Sequence, residues 1–275
     1  MSRKNWPDDK LFFRLLNNKT DTTYWENIRE LRSRVSDDVF RRSFSLAKSG
    51  SEKEKIIGIN LLSQLGKQPR RCFAETMQLY YEILTTETNP NVIEAALYGI
   101  GHNNKKINTK QTSLISSFRH HENDDVRDAV VFALLGVENK VAINTLLFLT
   151  EDKVASIRDW ATFGIGTQVE ATSKQITDAL WRRVTDKHQV TKLEAILGLA
   201  KRKDPRVKDV IKKELLNCEC GTLIFEAMME LGDKEFLSPL KKQLAIEKAK
   251  VKKNEYWIGE LNDAIIMIKK SAKRL

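Results

Sequence analysis

Three cysteines, five prolines and twelve glycines in 275 residues leave little covalent or conformational punctuation. An odd, sparse cysteine count excludes a disulfide framework. Cys72 is isolated, and Cys218 and Cys220 stand too close together for an easy bridge within a helix. All three read as buried or tolerated thiols. The scarcity of Gly and Pro, with abundant Leu, Ile, Ala, Lys and Glu, argues against many short strands and for helices. No stretch approaches the roughly 20 apolar residues of a membrane span. The opening MSRKNWPDDK has no apolar core behind its basic residues, so no secretory signal is expected. A cytoplasmic protein without a membrane partner follows.

Catalytic signals are equally sparse. The four histidines, His102, His120, His121 and His188, include no i, i+4 pair that could hold a metal, and no Cys–His set has zinc-ligand spacing. No glycine-rich loop follows a strand, and no Ser or Cys sits in a nucleophile turn. The chain is therefore expected to have no catalytic residues, no cofactor, no metal and no evident small-molecule substrate.

Charge is plentiful, at 31% of residues, with a formal net of +10. The excess is terminal. Residues 1–75 carry 16 basic against 10 acidic residues, and residues 201–275 carry 18 against 12. The middle, 76–200, has 13 against 15. A duplex-binding groove would concentrate positive charge along one continuous surface, so nucleic acid is the less favoured partner. The terminal KKSAKR at 269–274 reads as a solvated face.

What the chain does have is a repeat. NPNVIEAALYGIG (89–101), NDDVRDAVVFALLG (123–136), VASIRDWATFGIG (154–166), KLEAILGLAK (192–201) and TLIFEAMMELG (222–232) align on a recurring position: Gly99, Ala133, Gly164, Gly198 and Glu230, 31 to 34 residues apart. An earlier copy, SEKEKIIGINLLSQLG (51–66), fits with Gly58 and Leu61. Such a register is what a stack of helix pairs requires. Start signals separate the helices: Ser36, Asn108, Asn123, Asn89–Pro90, Asp204–Pro205, Ser238–Pro239, and a capping-box spacing at Thr23 and Glu26. The expected architecture is all-α, a right-handed α-α superhelix of about eight helix pairs forming a single domain over 1–275. Its repeats are clearest over 50–240, with divergent capping helices at 1–49 and 241–275.

VRDAVVFAL (126–134) and IRDWATFGI (157–165) resemble the second helix of HEAT repeats, including the bacterial HEAT-like repeats first noted in phycobilin lyases. NEYWIGELNDAIIMIKK (254–270) keeps the helical period but lacks the V-R-D. The resemblance implies an armadillo-like scaffold or adaptor that binds a protein on its inner, concave helices. A toxin-neutralising (immunity) role is a narrower form of the same implication. In the pattern Arg127 and Arg158 share one column, a structural ladder that can bridge repeats, and Asp128, Asp159 and Glu94 share the next. Ala161 and Gly164 would let paired helices approach closely.

If Ile157, Ala161, Gly164 and Ile165 form the core stripe, then Asp159, Thr162 and Phe163 point away from it. The same column reads Tyr98, Phe132, Phe163, Leu197 and Met229. Tyr98, Phe132 and Phe163, flanked by Glu94, Asp128 and Asp159, are the candidate protein-binding residues, an aromatic row suited to a basic amphipathic segment. The competing expectation is that these rings are ordinary core packing. Trp160 is expected to fill space between repeats, and Trp181 with Arg182 and Arg183 to form an outer anchor with a solvated basic face. The alternative function is nucleic-acid binding, because the chain is similar to the HEAT-like alkylpurine DNA glycosylases in helix-pair stacking and basic charge. Asp159 beside Trp160 faintly echoes their catalytic Asp, but their paired-Trp segment is missing.

Overall fold

The computed structural model describes residues 2–68, 70, 72–216 and 222–271. The Cys218 and Cys220 pair and the last residues of the KKSAKR stretch lie outside the described residues. Among those described there are only helices and connections, and the helices gather into two compact units, Met1–Thr145 and Leu146–Leu275. Among the described residues no helix is long and apolar enough to cross a membrane.

The first unit contains α1 (Asp8–Leu16), α2 (Asp21–Arg32), α3 (Asp37–Ser49), α4 (Glu52–Ser63), α5 (Phe73–Thr86), α6 (Pro90–Gly101), α7 (Thr109–Ser116) and α8 (Asp124–Leu134). Helix α2 packs on α4, α4 on α6 and α6 on α8, making an inner row, while α3, α5 and α7 form a second row behind it. This is solenoid-like stacking. Sequence sets the helix starts: the side chains of Ser36, Asn89, Asn108 and Asn123 each accept an N–H from the first turn of α3, α6, α7 and α8. The core between the rows includes Ile59, Leu97 and Tyr80, all fully buried. The Tyr80 hydroxyl donates to the Ile59 carbonyl at 3.0 Å, satisfying the one polar atom the ring carries inside.

Helix α9 (Lys140–Leu149) carries the chain into the second unit. That unit continues with α10 (Ala155–Thr167), α11 (Lys174–Arg183), α12 (Gln189–Lys201), α13 (Val207–Leu216), α14 (Thr222–Leu231), α15 (Leu237–Ala249) and α16 (Glu255–Ser271). Again the even helices stack, α10 on α12, α12 on α14 and α14 on α16. A Cβ on Gly198 would lie 2.7 Å from the Gly166 Cα, so α10 and α12 meet backbone to backbone at this pair of glycines.

Several local expectations are corrected. Helix α2 is capped by Thr20, whose hydroxyl accepts the Thr23 N–H, and Thr23 sits inside the first turn; Thr23 and Glu26 do not form the box. Ser238 does not open α15, because a 3₁₀ turn at Lys234–Phe236, capped by Asp233, leads straight into the helix at Leu237. Asp204 and Pro205 lie in a turn ahead of α13, where the Asp204 carboxylate accepts the Arg206 N–H. At Thr23 and Ser238 a neighbouring oxygen reaches the orphan amides first, whereas Asp204 caps the turn ahead of its helix with its own carboxylate. Thr162 is buried, not turned away from the core, and its hydroxyl donates to the Arg158 carbonyl at 2.6 Å. A short polar side chain can be buried in a helix when it bonds back onto its own preceding turn.

Candidate functional site

The candidate residues fall on the inner helices of both units: Glu94, Tyr98, Asp128 and Phe132 in the first, Asp159 and Phe163 in the second. In the first unit four of them meet. The Tyr98 hydroxyl donates to Asp128 Oδ2 at 2.7 Å across the α6–α8 contact, and the rings of Tyr98 and Phe132 lie 5.2 Å apart. Phe132 also packs edge-on to His102 at 5.2 Å and covers Gly101, where a Cβ would fall 2.4 Å from the ring. Tyr98, Phe132 and Asp128 are half-buried.

The electrostatics of this cluster is one-sided. Burial, then the Asp125 and Asp128 carboxylates, raises Glu94 above the usual carboxylate range. Asp128 is also raised, by burial and by Asp125, against the lowering effect of the Tyr98 hydrogen bond. Burial pushes the Tyr98 phenol well up, and its bond to Asp128 adds to this. Desolvated carboxylates of like sign each disfavour ionisation of the others.

The second unit has a comparable arrangement that combines Asp159 of the same column with residues of the adjacent one. Asp159 is raised by burial, with Asp186 adding to the shift and His188 opposing it. Glu194 on α12 is pushed up to about 7 by burial and by the charges of Asp159 and Glu226. Asp159 Oδ1 and Glu194 Oε2 are both buried without a hydrogen-bond partner. Beside them Trp160 is 47% exposed and stands edge-on to Phe163, their ring centroids 5.6 Å apart. The expectation that Trp160 fills space between repeats is thus corrected: Phe163 is half-buried and Trp160 faces solvent. Leu197, from the same aromatic column, is core.

Sequence reasoning missed Asp125, Glu194 and Glu226. Asp125 lies one turn before Asp128, a readable i, i+3 spacing. Glu194 and Glu226 occupy the column of Trp160, next to the acidic one, so a search along a single column passes them by.

The arginines of the ladder hold backbone. Arg127 Nη1 donates to the carbonyls of His121 and Glu122, and Arg158 Nη1 to those of Asp152 and Lys153, the same two positions relative to each helix. Trp181 is half-buried under the Arg206 guanidinium, 4.8 Å from the ring centroid, whereas Arg182 and Arg183 both reach Glu151. No group of three or more His, Cys, Asp or Glu suited to a metal ion occurs among the described residues.

These helices define an all-α, repeat-like protein, and comparison with known proteins gives the same class. No protein-family model matches the chain. Protein YibA of Escherichia coli strain K12 is 28% identical over 242 residues, covering 86% of this chain and 85% of YibA. YibA of Escherichia coli O157:H7 matches with the same figures. The X-ray structure of Escherichia coli YibA superposes with a TM-score of 0.77 at 26% identity, over 97% of this chain and 93% of that one.

Proposed function

We propose that this chain is a non-enzymatic, HEAT-like scaffold that binds a basic, amphipathic segment of a protein partner on its inner helices. One observation carries the reading: half-buried carboxylates gather beside aromatic rings, with desolvation and mutual repulsion raising Glu94, Asp128, Asp159 and Glu194. A Lys or Arg side chain brought against such a group would relieve the repulsion, and the exposed indole of Trp160 offers an apolar anchor next to it. The same charges oppose a phosphate backbone on these faces. A toxin-neutralising role is the narrower form of this reading, in which the bound protein is a toxin.

The test is affinity capture from nuclease-treated source-cell lysate, comparing the wild type with an Asp159→Asn/Trp160→Ala/Glu194→Gln variant whose folding is checked by circular dichroism. A discrete protein retained by the wild type and lost by the folded variant is the expected outcome. Recovery that requires nucleic acid and vanishes with added salt would replace the reading with the nucleic-acid one. If the protein captured is a toxin, co-expression should protect growth.

A further inference from the structure

Next to the hollow that Trp25 and Arg32 line together with Glu94 and Tyr98, the inner row of the first unit holds a cavity of opposite sign. It has a volume of about 680 Å³ and is lined by Trp25, Arg29, Arg32, Val35, Gly66 and Lys67 among others, with no carboxylate in its wall among the described residues. That is within the range of about 300–1,000 Å³ typical of small-molecule sites.

The absence of a carboxylate has a structural cause. The two acidic residues in the body of α2 are drawn elsewhere: Glu26 pairs with Arg3 at 2.6 Å and Glu30 with Arg34 at 2.9 Å. Arg29 and Arg32 are left facing the cavity without them. Arg32 is held rigidly, but by neutral groups only. Its guanidinium donates to the Asn60 carbonyl, Gln64 Oε1 and Ser63 Oγ, at 2.6 to 3.0 Å. Burial lowers its pKa to about 10, with the neighbouring charge of Arg70 contributing. A fixed, desolvated cation without a counter-ion is costly to folding.

The remaining wall is equally ordered. Trp25 is 45% exposed, fixed by an edge-on contact with Tyr24 at 5.1 Å, and the Arg32 guanidinium carbon lies 5.9 Å from its ring centroid. Lys67 follows Gly66, whose φ of +74° and N–H bond to the Arg32 carbonyl tie the exit of α4 to the end of α2. A Cβ at Gly66 would lie 2.9 Å from Val35 Cγ2, so the turn is shaped against the cavity wall. Three cations and a half-exposed indole therefore converge on one hollow.

We propose that this cavity is a binding site for an oxyanion carried on a flat apolar body, the oxyanion against Arg29, Arg32 and Lys67 and the body on the indole of Trp25. A guanidinium and an ammonium both donate to carboxylate and phosphate oxygens, and a ring stacked on Trp25 keeps water from screening them. The shared chemistry is an aromatic carboxylate or an aromatic phosphomonoester.

The test is ligand-observed NMR titration of the full chain with phenyl phosphate, phenylacetate, inorganic phosphate and benzyl alcohol. At least one of the two ring-bearing anions should bind about tenfold or more tightly than inorganic phosphate and than benzyl alcohol. An Arg29→Ala/Lys67→Ala variant, changed only at exposed positions, should weaken that binding about tenfold, and Trp25→Ala should abolish the advantage of the ring. Arg32→Gln, which keeps hydrogen-bonding capacity but no charge, should do the same as the double variant. Preference for phenyl phosphate assigns the site to phosphomonoesters, and equal or reversed preference assigns it to carboxylates. Absence of binding at millimolar concentration overturns the proposal. So does equal binding of benzyl alcohol or inorganic phosphate, or unchanged affinity in the double variant. Arg29→Ala/Lys67→Ala leaves the hollow shared by Trp25, Arg32, Glu94 and Tyr98 unchanged, and the capture variant is confined to Asp159, Trp160 and Glu194 of the second unit, so this proposal and the partner-binding reading fail separately.

Discussion

Arg158 and Asp186 are joined by two hydrogen bonds, Nε to Oδ2 at 3.0 Å and Nη2 to Oδ1 at 3.1 Å, across 28 residues of sequence. Asp186 is almost completely buried and also accepts the His188 N–H and a bond from Arg183. Burial alone would raise this carboxyl. The bonds from Arg158 and His188 and the charges of Arg158 and Arg183 overcome it, holding Asp186 below the usual range. One guanidinium thus clamps the turn before its own helix and the turn of the following repeat.

Replacing Arg158 with Ala should therefore destabilise the protein, by about 1–3 kcal/mol, because Arg183 and the His188 amide remain to hold Asp186. A depressed Asp contributes stability that is present above its unfolded pKa, near 4, and is lost as pH falls through the folded value. The difference between wild type and Arg158→Ala should accordingly shrink as pH falls below about 4. Urea midpoints measured from pH 3 to pH 7 check both statements. A difference that grows on acidification would refute the assignment.

Glu194 carries the opposite linkage. Its folded pKa of about 7 lies above the ordinary value of 4.5, so its ionisation costs stability that accumulates as pH rises between those values. Glu194→Gln should leave stability nearly unchanged at pH 4 and raise it at pH 8. After discounting for solvent screening the gain should be about 1 kcal/mol. Paired thermal melts across that interval measure it, and an equal effect at both pH values would show that the carboxyl is ordinary.

Trp160 and Phe132 should separate surface from packing. Phe132 covers Gly101 and touches Tyr98 and His102, so Phe132→Ala should cost about 2–3 kcal/mol through lost contacts and a cavity. Trp160→Ala removes a largely exposed ring and should change stability by no more than about 0.5 kcal/mol. It should nevertheless weaken capture of the partner. A large stability loss at Trp160 would identify that indole as packing.

Glycine substitutions probe the stacking. Gly198→Ala places a methyl 2.7 Å from the Gly166 Cα and should destabilise the second unit by about 1–3 kcal/mol. Gly259, on α16, has open space around its missing Cβ, and Gly259→Ala should stabilise by about 0.5–1 kcal/mol through helix propensity. Denaturant unfolding of the two variants compares them directly.

The repeat register, the helical class and most caps were legible because they rest on local rules. Asn89 before Pro90, Ser36 and Asn108 act through side chains two or three residues from the amides they satisfy. The same locality misled at Thr23 and Ser238, where Thr20 and Asp233 compete for the same orphan groups. Trp160 and Thr162 were misplaced for another reason. A 3.6-residue period assigns faces only approximately, and which side of a helix is covered depends on the angle at which its neighbour crosses it.

By itself, then, the sequence determined an all-helical chain of stacked pairs and the columns on which acidic, basic and aromatic residues recur. Those properties follow from periodicity and from short-range hydrogen bonding. The tertiary structure alone decided that Glu194 and Glu226 join Asp159 in one field, that Gly166 meets Gly198, and that Glu26 is drawn to Arg3 while Arg29 and Arg32 face a cavity. Charge neutralisation and desolvation act through space between residues tens of positions apart, and a column read along one helix carries no record of that distance.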